Sequence, residues 1–380
     1  MATQPSIASI LDDPTSLRLS PTRPLSRWRP GASATSRVVS ATQLRLVSVQ
    51  KTVPADPQQP YEPLRSTVTT APSPSVSQRL GGLRATGSEH IELPEQIGQL
   101  KIGRPLARGG MSQVVEAWDT TREEFVALKL IRPTGSGRRA EREAWDREIS
   151  ILRGMKHPGV VPLLDYGIGE GGELYLTMPL LQGCSARQEL VAMRRAGGAA
   201  QTASTYDRLL PAFLDICDTL EYVHQSGVLH CDLKPSNIFL PREHTPNRGL
   251  LLDWGVSVMR QTTGALSDPS GRPGGTPGYM APEQITGSVG ALSPATDVYG
   301  LGCLLYEFLA WRPLFRRGEP RRALRDALRG DLVPPGQRQT DVQVPQGLSD
   351  ICMKALAAQP ADRFSSAADL ARAVRALLPS

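Results

Sequence analysis

Four polar side chains in the middle of the sequence have the types and spacing that chemistry on a phosphate needs. Asp232, Lys234 and Asn237 lie in one short segment, and Asp253 follows in an Asp-Trp-Gly triplet. Phosphoryl transfer requires a carboxylate beside the attacking hydroxyl, ligands that hold Mg²⁺ on the phosphates, and positive charge near the transferred group. These residues supply all three, so they predict chemistry on a nucleotide phosphate.

A second candidate segment lies earlier, between apolar runs. It consists of Leu106, Ala107, Arg108, Gly109, Gly110, Met111, Ser112, Gln113 and Val114. Glycines suit a phosphate-binding loop, because a backbone without side chains can approach phosphates closely and offer its N–H groups. Two adjacent glycines taken alone more often mark a turn. The phosphate-loop interpretation therefore depends on the next apolar run, Val-Ala-Leu-Lys, which ends at Lys129.

The order and spacing of these motifs resemble those of the protein kinase family. The resemblance covers most of the chain, from Leu106 to Arg363, and it is strongest to bacterial (Hanks-type) serine/threonine kinases. The motifs Gly-Gly-Met and Gly-Thr-x-x-Tyr-Met-Ala-Pro-Glu of those kinases recur in this chain. It implies an α+β, bilobal fold, with a small β-rich N-lobe over residues 96–181 and a larger helical C-lobe over residues 182–378.

The resemblance implies a role for each candidate residue of the C-lobe. Asp232 would orient the acceptor hydroxyl, Asn237 and Asp253 would bind magnesium, and Lys234 would contact the moving phosphate. A lysine at this position is typical of serine/threonine kinases. The implied reaction is transfer of the γ-phosphate of ATP to Ser or Thr hydroxyls of proteins, the kinase itself included. ATP and Mg²⁺ are the implied cofactors, and protein substrates are the implied partners.

In the N-lobe, the resemblance implies residues that hold the nucleotide. Lys129 would bind the inner phosphates, and Ala127, on the same strand, would also contact the nucleotide. Glu148 would form an ion pair with Lys129 from an amphipathic helix predicted over residues 141–155. Glu143, more than one turn earlier, is the alternative partner.

A predicted strand ending at Met178 leads into the implied hinge and adenine pocket. Met178 would be the gatekeeper residue. Pro179 has no N–H, so it can only accept a hydrogen bond through its carbonyl. Leu181 would supply the hinge donor.

The chain departs from the family pattern at several of these positions. Ala107 and Ser112 replace glycines, which predicts a stiffer loop, and Trp254 replaces the usual Phe. Cys231 stands where kinases that are activated by phosphorylation have Arg, and a thiol cannot pair with a phosphorylated side chain. We therefore expect a non-RD kinase whose activity does not depend on a phosphate docked at this position. A redox-sensing role for Cys231 is the less favoured alternative to a small tolerated residue.

Further residues are expected to support the site without reacting. Thr276 would form a hydrogen bond near Asp232. Glu283 and Arg363 would form a buried salt bridge that ties the activation segment to the lobe. Asp297 would hold the backbone of the catalytic loop.

Two other functions remain open. A pseudokinase, acting as a nucleotide-binding scaffold, would explain the altered Ala107, Ser112, Cys231 and Trp254. Retention of the lysine and the carboxylates argues against it. Phosphorylation of a small molecule is disfavoured, because the segment from Thr276 onwards resembles a peptide-docking turn.

Residues 1–95 are predicted to form a disordered tail, since they are rich in Ser, Thr, Pro and Arg and poor in aromatic residues. Residues 1–88 hold ten Lys or Arg and four Asp or Glu, which accounts for the whole net charge of +6. Contact of this basic tail with a partner or with nucleic acid is the alternative to a solvated tail. Because no sensor domain follows residue 380, we expect any regulatory element to lie in the tail.

The predicted location is the cytoplasm, where the protein would act in signalling. No stretch of the sequence approaches the ~18 consecutive apolar residues of a membrane span, and the N-terminus lacks a basic region followed by an apolar run. The five cysteines are odd in number and contain no Cys-x-x-Cys pair, which fits a reducing compartment. No pattern in the sequence predicts an oligomeric state.

Overall fold

The computed structural model describes residues 94–108, 112–131, 133, 138–242, 247–260, 266–267, 274–286, 291–316, 318–338 and 343–378. The tail predicted over residues 1–95 lies outside them, apart from Pro94 and Glu95. Three residues of the glycine-rich loop, Gly109, Gly110 and Met111, also lie outside them. The predictions made for these segments remain predictions.

The N-lobe is built on an antiparallel sheet with the strand order β1-β2-β3-β4-β6-β5. The strands are β1 (Gln96–Ile97), β2 (Leu100–Arg108), β3 (Ser112–Asp119), β4 (Glu124–Ile131), β5 (Asp165–Ile168) and β6 (Leu174–Pro179). Along β3, buried and partly exposed residues alternate, as expected for a strand with one face on a core. Val115 and Ala117 on the buried face join Leu100, Val126 and Leu128 in one apolar cluster.

Helix α1 (Arg138–Gly154) packs against this sheet. Trp145 and Ile149 lie one turn apart on α1 and form an apolar cluster with Ile131 of β4 and Leu174 of β6. This packing fixes the helix against the strands that are expected to hold the nucleotide.

The C-lobe is helical. Its helices are α2 (Ala186–Ala196), α3 (Gly198–Ser204), α4 (Leu210–Gln225), α5 (Pro282–Thr286), α6 (Pro294–Ala310), α7 (Pro320–Arg329), α8 (Gln346–Ala355) and α9 (Ala367–Arg375). Helix α6 is buried from Thr296 to Ala310 and contacts α4, α8 and α9. Its sequence explains this position, because Asp297 and Glu307 are its only charged residues. Among the described helices, none combines the length and the hydropathy that a membrane crossing needs.

Two small sheets hold the loops that carry the candidate residues. One contains β7 (Gly183–Ser185), β9 (Ile238–Pro241) and β10 (Leu250–Leu251), and the other contains β8 (Val228–Leu229), β11 (Val258–Arg260) and β12 (Leu266–Ser267). The segment with Asp232 connects β8 to β9, and Asp253 follows β10. The N–H of Leu252 donates to the carbonyl of Asn237 at 2.9 Å. Pairing of β9 with β10 thus holds the two predicted metal-binding segments side by side.

Candidate active site

Three charged side chains meet where β4, α1 and the segment after β10 come together. Lys129 Nζ lies 2.7 Å from each carboxylate oxygen of Glu148 and 2.9 Å from Oδ1 of Asp253. Lys129 is 7% exposed and Glu148 is 2% exposed. The predicted ion pair of these two residues is present. The alternative partner Glu143 pairs instead with Arg139 on α1.

The charges of this cluster follow from burial and from the neighbouring groups. Burial alone would raise the pKa of Asp253, but Lys129 outweighs it and holds the pKa at about 2. Burial alone would lower the pKa of Lys129, yet the two carboxylates raise it above its ordinary value. Burial, together with the nearby charge of Asp253, raises the pKa of Glu148 above its ordinary value although Lys129 lowers it. At neutral pH, Lys129 is therefore a cation and Asp253 an anion.

The carboxylate of Asp232 is held in place by neighbouring donors. Thr276 Oγ1 donates to Asp232 Oδ1 at 2.7 Å, and Lys234 Nζ donates to Asp232 Oδ2. Lys234 Nζ also donates to Thr276 Oγ1 at 2.8 Å, which closes a small network. The predicted contact between Thr276 and Asp232 is present. Asp232 is 5% exposed, so its carboxylate has a fixed orientation and little contact with solvent.

The backbone before Asp232 is held by Asp297 on α6. Its two oxygens accept the N–H groups of His230 and Cys231, both at 2.8 Å, as predicted for this residue. His224 Nε2 lies 2.8 Å from Oδ2. Burial alone would raise the pKa of Asp297. His224 and the other neighbouring groups outweigh burial and hold the pKa below its ordinary value. Cys231 has a φ of 62°, which residues other than glycine rarely adopt, so Asp297 holds a strained backbone.

Asn237 and Asp253 have the chemistry that a magnesium site requires. Asn237 Nδ2 donates to the carbonyl of Asp232 at 2.9 Å, and the amide oxygen accepts from Ser236 Oγ at 3.4 Å, which leaves its second lone pair for a ligand. Asp253 uses Oδ1 for Lys129, and its side chain is 43% exposed. Because hard cations bind carboxylate and amide oxygens, this donor set fits Mg²⁺.

Four of the residues predicted to contact the nucleotide share one face of the N-lobe sheet. Val114 lies opposite Lys129 in the β3–β4 pair, and Met178 lies opposite Ala127 in the β4–β6 pair. Opposite residues, and residues two apart on one strand, place their side chains on the same face. Gln113 is one residue earlier on β3, and its side chain is buried on the other face. Only the backbone of Gln113 can therefore face a nucleotide.

The remaining predicted nucleotide contacts lie at strand ends. Those at the ends of paired strands are Leu106, Ala107 and Arg108 on β2, Ser112 on β3 and Pro179 on β6. Leu181 follows β6 and is half-buried. The glycine-rich segment thus connects two paired strands that end near Lys129.

Comparison with known proteins identifies the family. The sequence pattern of the protein kinase domain matches residues 100–374. The chain belongs to the protein kinase family. The matched residues of this kinase domain include every candidate described above. The bilobal fold expected from the resemblance is confirmed.

Several curated relatives of the kinase domain are bacterial serine/threonine-protein kinases. The serine/threonine-protein kinase PknD of Chlamydia trachomatis serovar D is 34% identical over 300 residues, which cover 72% of this chain and 31% of that protein. The protein of the same name from Chlamydia muridarum is 32% identical over 296 residues, covering 72% and 31% of the two chains. That from Chlamydia pneumoniae is 33% identical over 288 residues, covering 71% and 30%. The chain thus spans less than a third of the length of these relatives.

Two departures from the kinase pattern are accommodated by packing. Trp254 is 1% exposed, and its ring centroid lies 5.0 Å from that of His230. Cys231 is 6% exposed and packs with Leu229 and Val258 in a small apolar cluster. The position before Asp232 is therefore apolar and closed in this kinase domain.

The predicted salt bridge between Glu283 and Arg363 is present. Arg363 Nη1 and Nη2 lie 2.7 and 2.9 Å from the two oxygens of Glu283, and the arginine side chain is fully buried. Arg363 also donates to the carbonyls of Ala295, Ala357 and Ala358. One side chain thus joins α5, the start of α6 and the loop after α8.

Two residues that position the site were missed by sequence reasoning. Gln284 Nε2 donates to the carbonyl of Cys231 at 2.8 Å and to that of Gly274 at 3.1 Å. Glu307, fully buried on α6, accepts from Tyr279 Oη at 2.6 Å and from Arg194 at 3.2 Å. For Glu307 there was a signal, because a carboxylate in an apolar helix must have a partner.

Replacing Gln284 by alanine is expected to lower kcat about tenfold and to leave the KM for ATP unchanged. The variant loses the link between Cys231 and Gly274 and leaves the carbonyls of both residues with fewer donors. This is expected to lower the free energy of unfolding by about 1–3 kcal/mol. Steady-state kinetics and thermal unfolding measure both effects. Gln346→Ala, at an exposed site on α8, is the control. Equal kinetics in the two variants would contradict a positioning role.

Proposed function

We propose that this chain transfers the γ-phosphate of ATP to Ser and Thr hydroxyls of proteins. The observation that carries the proposal is the network of Asp232, Lys234 and Thr276. A carboxylate fixed in this way can accept a hydrogen bond from an acceptor hydroxyl and orient its oxygen toward a phosphate. Lys234 Nζ donates to both Asp232 and Thr276, so it would lie near the phosphate in transfer and neutralise its charge.

The remaining charges of the site are arranged for the nucleotide. Lys129 is held as a cation by Glu148 and Asp253, on the sheet face where the inner phosphates are expected. Magnesium held by Asn237 and Asp253 would add positive charge on the phosphate oxygens. Cations that are already in place stabilise a transition state without reorganisation at the moment of reaction.

The two alternative functions have less support. A pseudokinase has no need of a buried lysine, three carboxylates and an amide in one connected site. Phosphorylation of a small molecule leaves the turn that begins at Thr276 without a role. This turn is partly exposed and borders a cavity on the surface of the C-lobe, which suits an extended polypeptide.

Phosphoamino acid analysis tests the proposed acceptor. The full chain, incubated with γ-labelled ATP, Mg²⁺ and a generic protein substrate, is expected to leave label on phosphoserine and phosphothreonine. Label on phosphotyrosine alone would contradict the proposal, as would label only on a small molecule.

We further propose that this is a non-RD kinase. Cys231 lies directly before Asp232, in an apolar cluster that offers no cation to a phosphorylated side chain. Gln284 and the buried carboxylate of Asp297 hold the backbone of Cys231 through hydrogen bonds instead. The catalytic loop is thus anchored without a phosphate.

Treatment with a phosphatase, followed by its removal, is expected to change the initial rate of transfer by less than about twofold. The reason is that no docked phosphate contributes to the position of Asp232. Cys231→Ser is expected to keep a rate close to that of the native chain, since the thiol has no chemical task. A tenfold loss that recovers on preincubation with ATP would contradict the non-RD proposal.

We also propose a reducing compartment such as the cytoplasm. All five cysteines are free thiols: Cys184, Cys217, Cys231, Cys303 and Cys352. Disulfides are uncommon in compartments of this kind.

A further inference from the structure

Helix α7 carries a stripe of arginines on its solvent-facing side. Arg321, Arg325 and Arg329 are spaced four residues apart and are all exposed. Residues this far apart lie on one side of a helix. The opposite side, formed by Ala323, Leu324 and Ala327, is buried in the C-lobe. We call the three arginines the α7 stripe.

The acidic residues nearby do not neutralise this surface. Residues 312–331 contain seven Arg and three Asp or Glu. Glu319 and Asp326 are each shared between two arginines, at N–O distances of 3.3 to 3.7 Å. Within the described part of the chain, Arg321 and Arg329 have no acidic partner. An excess of positive charge therefore faces the solvent along α7.

The N-terminal end of α7, the helix that carries the stripe, lies beside the turn of the expected acceptor site. A cavity of about 80 Å³ separates α7 from the turn after Thr276, and its lining includes Pro277, Tyr279, Phe315, Arg316, Pro320 and Ala323. Thr276 itself donates to Asp232. A polypeptide whose hydroxyl lies at Asp232 would thus pass a small cavity lined by proline, aromatic and alanine side chains together with Arg316, and then reach the N-terminal end of α7.

We propose that the α7 stripe binds acidic residues of the substrate, on one side of the phosphoacceptor. The residue next to the acceptor would be small and apolar, and Asp or Glu would follow. This inference rests on the proposed function. The eight helical steps from Arg321 to Arg329 extend about 12 Å, and an extended peptide advances about 3.3 Å per residue. The stripe therefore matches about four substrate positions. Guanidinium groups suit this task, because they bind carboxylates through two parallel hydrogen bonds.

A peptide fits the position of the stripe better than another polyanion does. Nucleic acid or an anionic membrane would also be attracted to exposed arginines. Neither would explain why the helix that carries the stripe also lines, through Pro320 and Ala323, the cavity beside the turn after Thr276. The N-terminal tail of this chain is basic, so it would be repelled by the stripe.

Peptide kinetics with the full chain test the proposal. Three peptides of equal length carry one Ser and a neighbouring Ala, with four Glu on the C-terminal side, four Glu on the N-terminal side, or four Gln. The variant is the double charge reversal Arg321→Glu with Arg325→Glu. The control is Arg372→Glu with Arg375→Glu on α9, which changes the net charge equally on a helix that does not line the cavity.

We expect one of the two acidic peptides to exceed the Gln peptide about tenfold in kcat/KM, since several exposed ion pairs contribute modestly and additively. The preference should disappear in the α7 variant, persist in the α9 control and weaken with added salt. Equal kcat/KM for all three peptides, or a preference kept in the α7 variant, would overturn the inference while transfer to Ser continues. Absence of transfer to every peptide and protein would instead overturn the proposed function.

Binding measurements distinguish an acidic peptide from other polyanions as the partner of the stripe. Binding of a fluorescent oligonucleotide and of anionic vesicles is compared between the native chain and the α7 variant. If either is lost in the variant and no peptide preference exists, the stripe serves that polyanion and the inference is wrong. Loss of peptide preference alone supports it.

Discussion

Replacing Asp232 by asparagine is expected to lower kcat about 10³-fold, in the range that positioned acid–base groups contribute. The amide cannot accept a proton from the acceptor hydroxyl. Its NH2 group would also replace one of the two oxygens to which Thr276 and Lys234 donate, so a donor would face a donor. The residues that are expected to bind the nucleotide remain unchanged. We therefore expect similar binding of ATP and a small change in thermal stability.

Single-turnover transfer with saturating ATP measures this loss without interference from product release. Asp350→Asn, at an exposed position on α8, removes the same charge and serves as the control. Binding of a fluorescent ATP analogue shows whether the nucleotide site is intact. A variant that binds ATP and retains more than about a tenth of the native rate would show that Asp232 is not the group that orients the hydroxyl.

Replacing Arg363 by alanine is expected to destabilise the chain by about 3–5 kcal/mol, the cost of breaking a buried ion pair by removing one partner. The carboxylate of Glu283, 7% exposed beside Arg363, would lose its cation. Three backbone carbonyls would also lose a donor. Because Glu283 also accepts from Thr296 Oγ1 at 2.9 Å, the loss reaches the start of α6.

Denaturant unfolding followed by tryptophan fluorescence measures this change. The matched control is Arg372→Ala, whose side chain is 78% exposed and pairs with Asp369 at 2.8 Å. An exposed pair contributes about 1 kcal/mol or less. Arg363→Lys keeps the charge but not the two parallel hydrogen bonds, so an intermediate loss is expected. Equal stabilities of the two alanine variants would contradict a structural role for the buried pair.

Most of the site could be predicted from the sequence because its motifs are local and resemble those of the kinase family. This resemblance, with the interval between the motifs, predicted the pair of Lys129 and Glu148, and the choice over Glu143 was confirmed by the contact. Asp297, Thr276 and the pair of Glu283 with Arg363 were predicted in the same way.

What could not be predicted depends on contacts between distant segments. Gln284 was missed, because a glutamine beside Glu283 is not distinguishable from a solvated residue until the carbonyls of Cys231 and Gly274 are placed next to it. The positive φ values of Cys231 and Asp253 have no sequence signal either, since neither residue is glycine. Both conformations are imposed by the tertiary structure.

Helix α4 begins later than apolar spacing alone indicates. Apolar residues recur at helical spacing over residues 206–226 and favour one helix there, but α4 begins at Leu210 and follows a π-helical turn, Thr205–Leu209. The N–H of Leu210 donates to the carbonyl of Thr205, five residues back. Pro211 has no N–H to continue the usual ladder, which accounts for a wider turn at this point.

Transfer of label from γ-labelled ATP by the purified full chain tests the central claim, that this chain is an active protein kinase, most directly. The assay contains a generic protein substrate and is run with Mg²⁺ and with excess EDTA, while ATP binding and folding are measured on the same sample. We expect label on the substrate with Mg²⁺ and none with EDTA. A folded chain that binds ATP with Mg²⁺ but transfers no label to itself or to any substrate would contradict this claim and establish a pseudokinase.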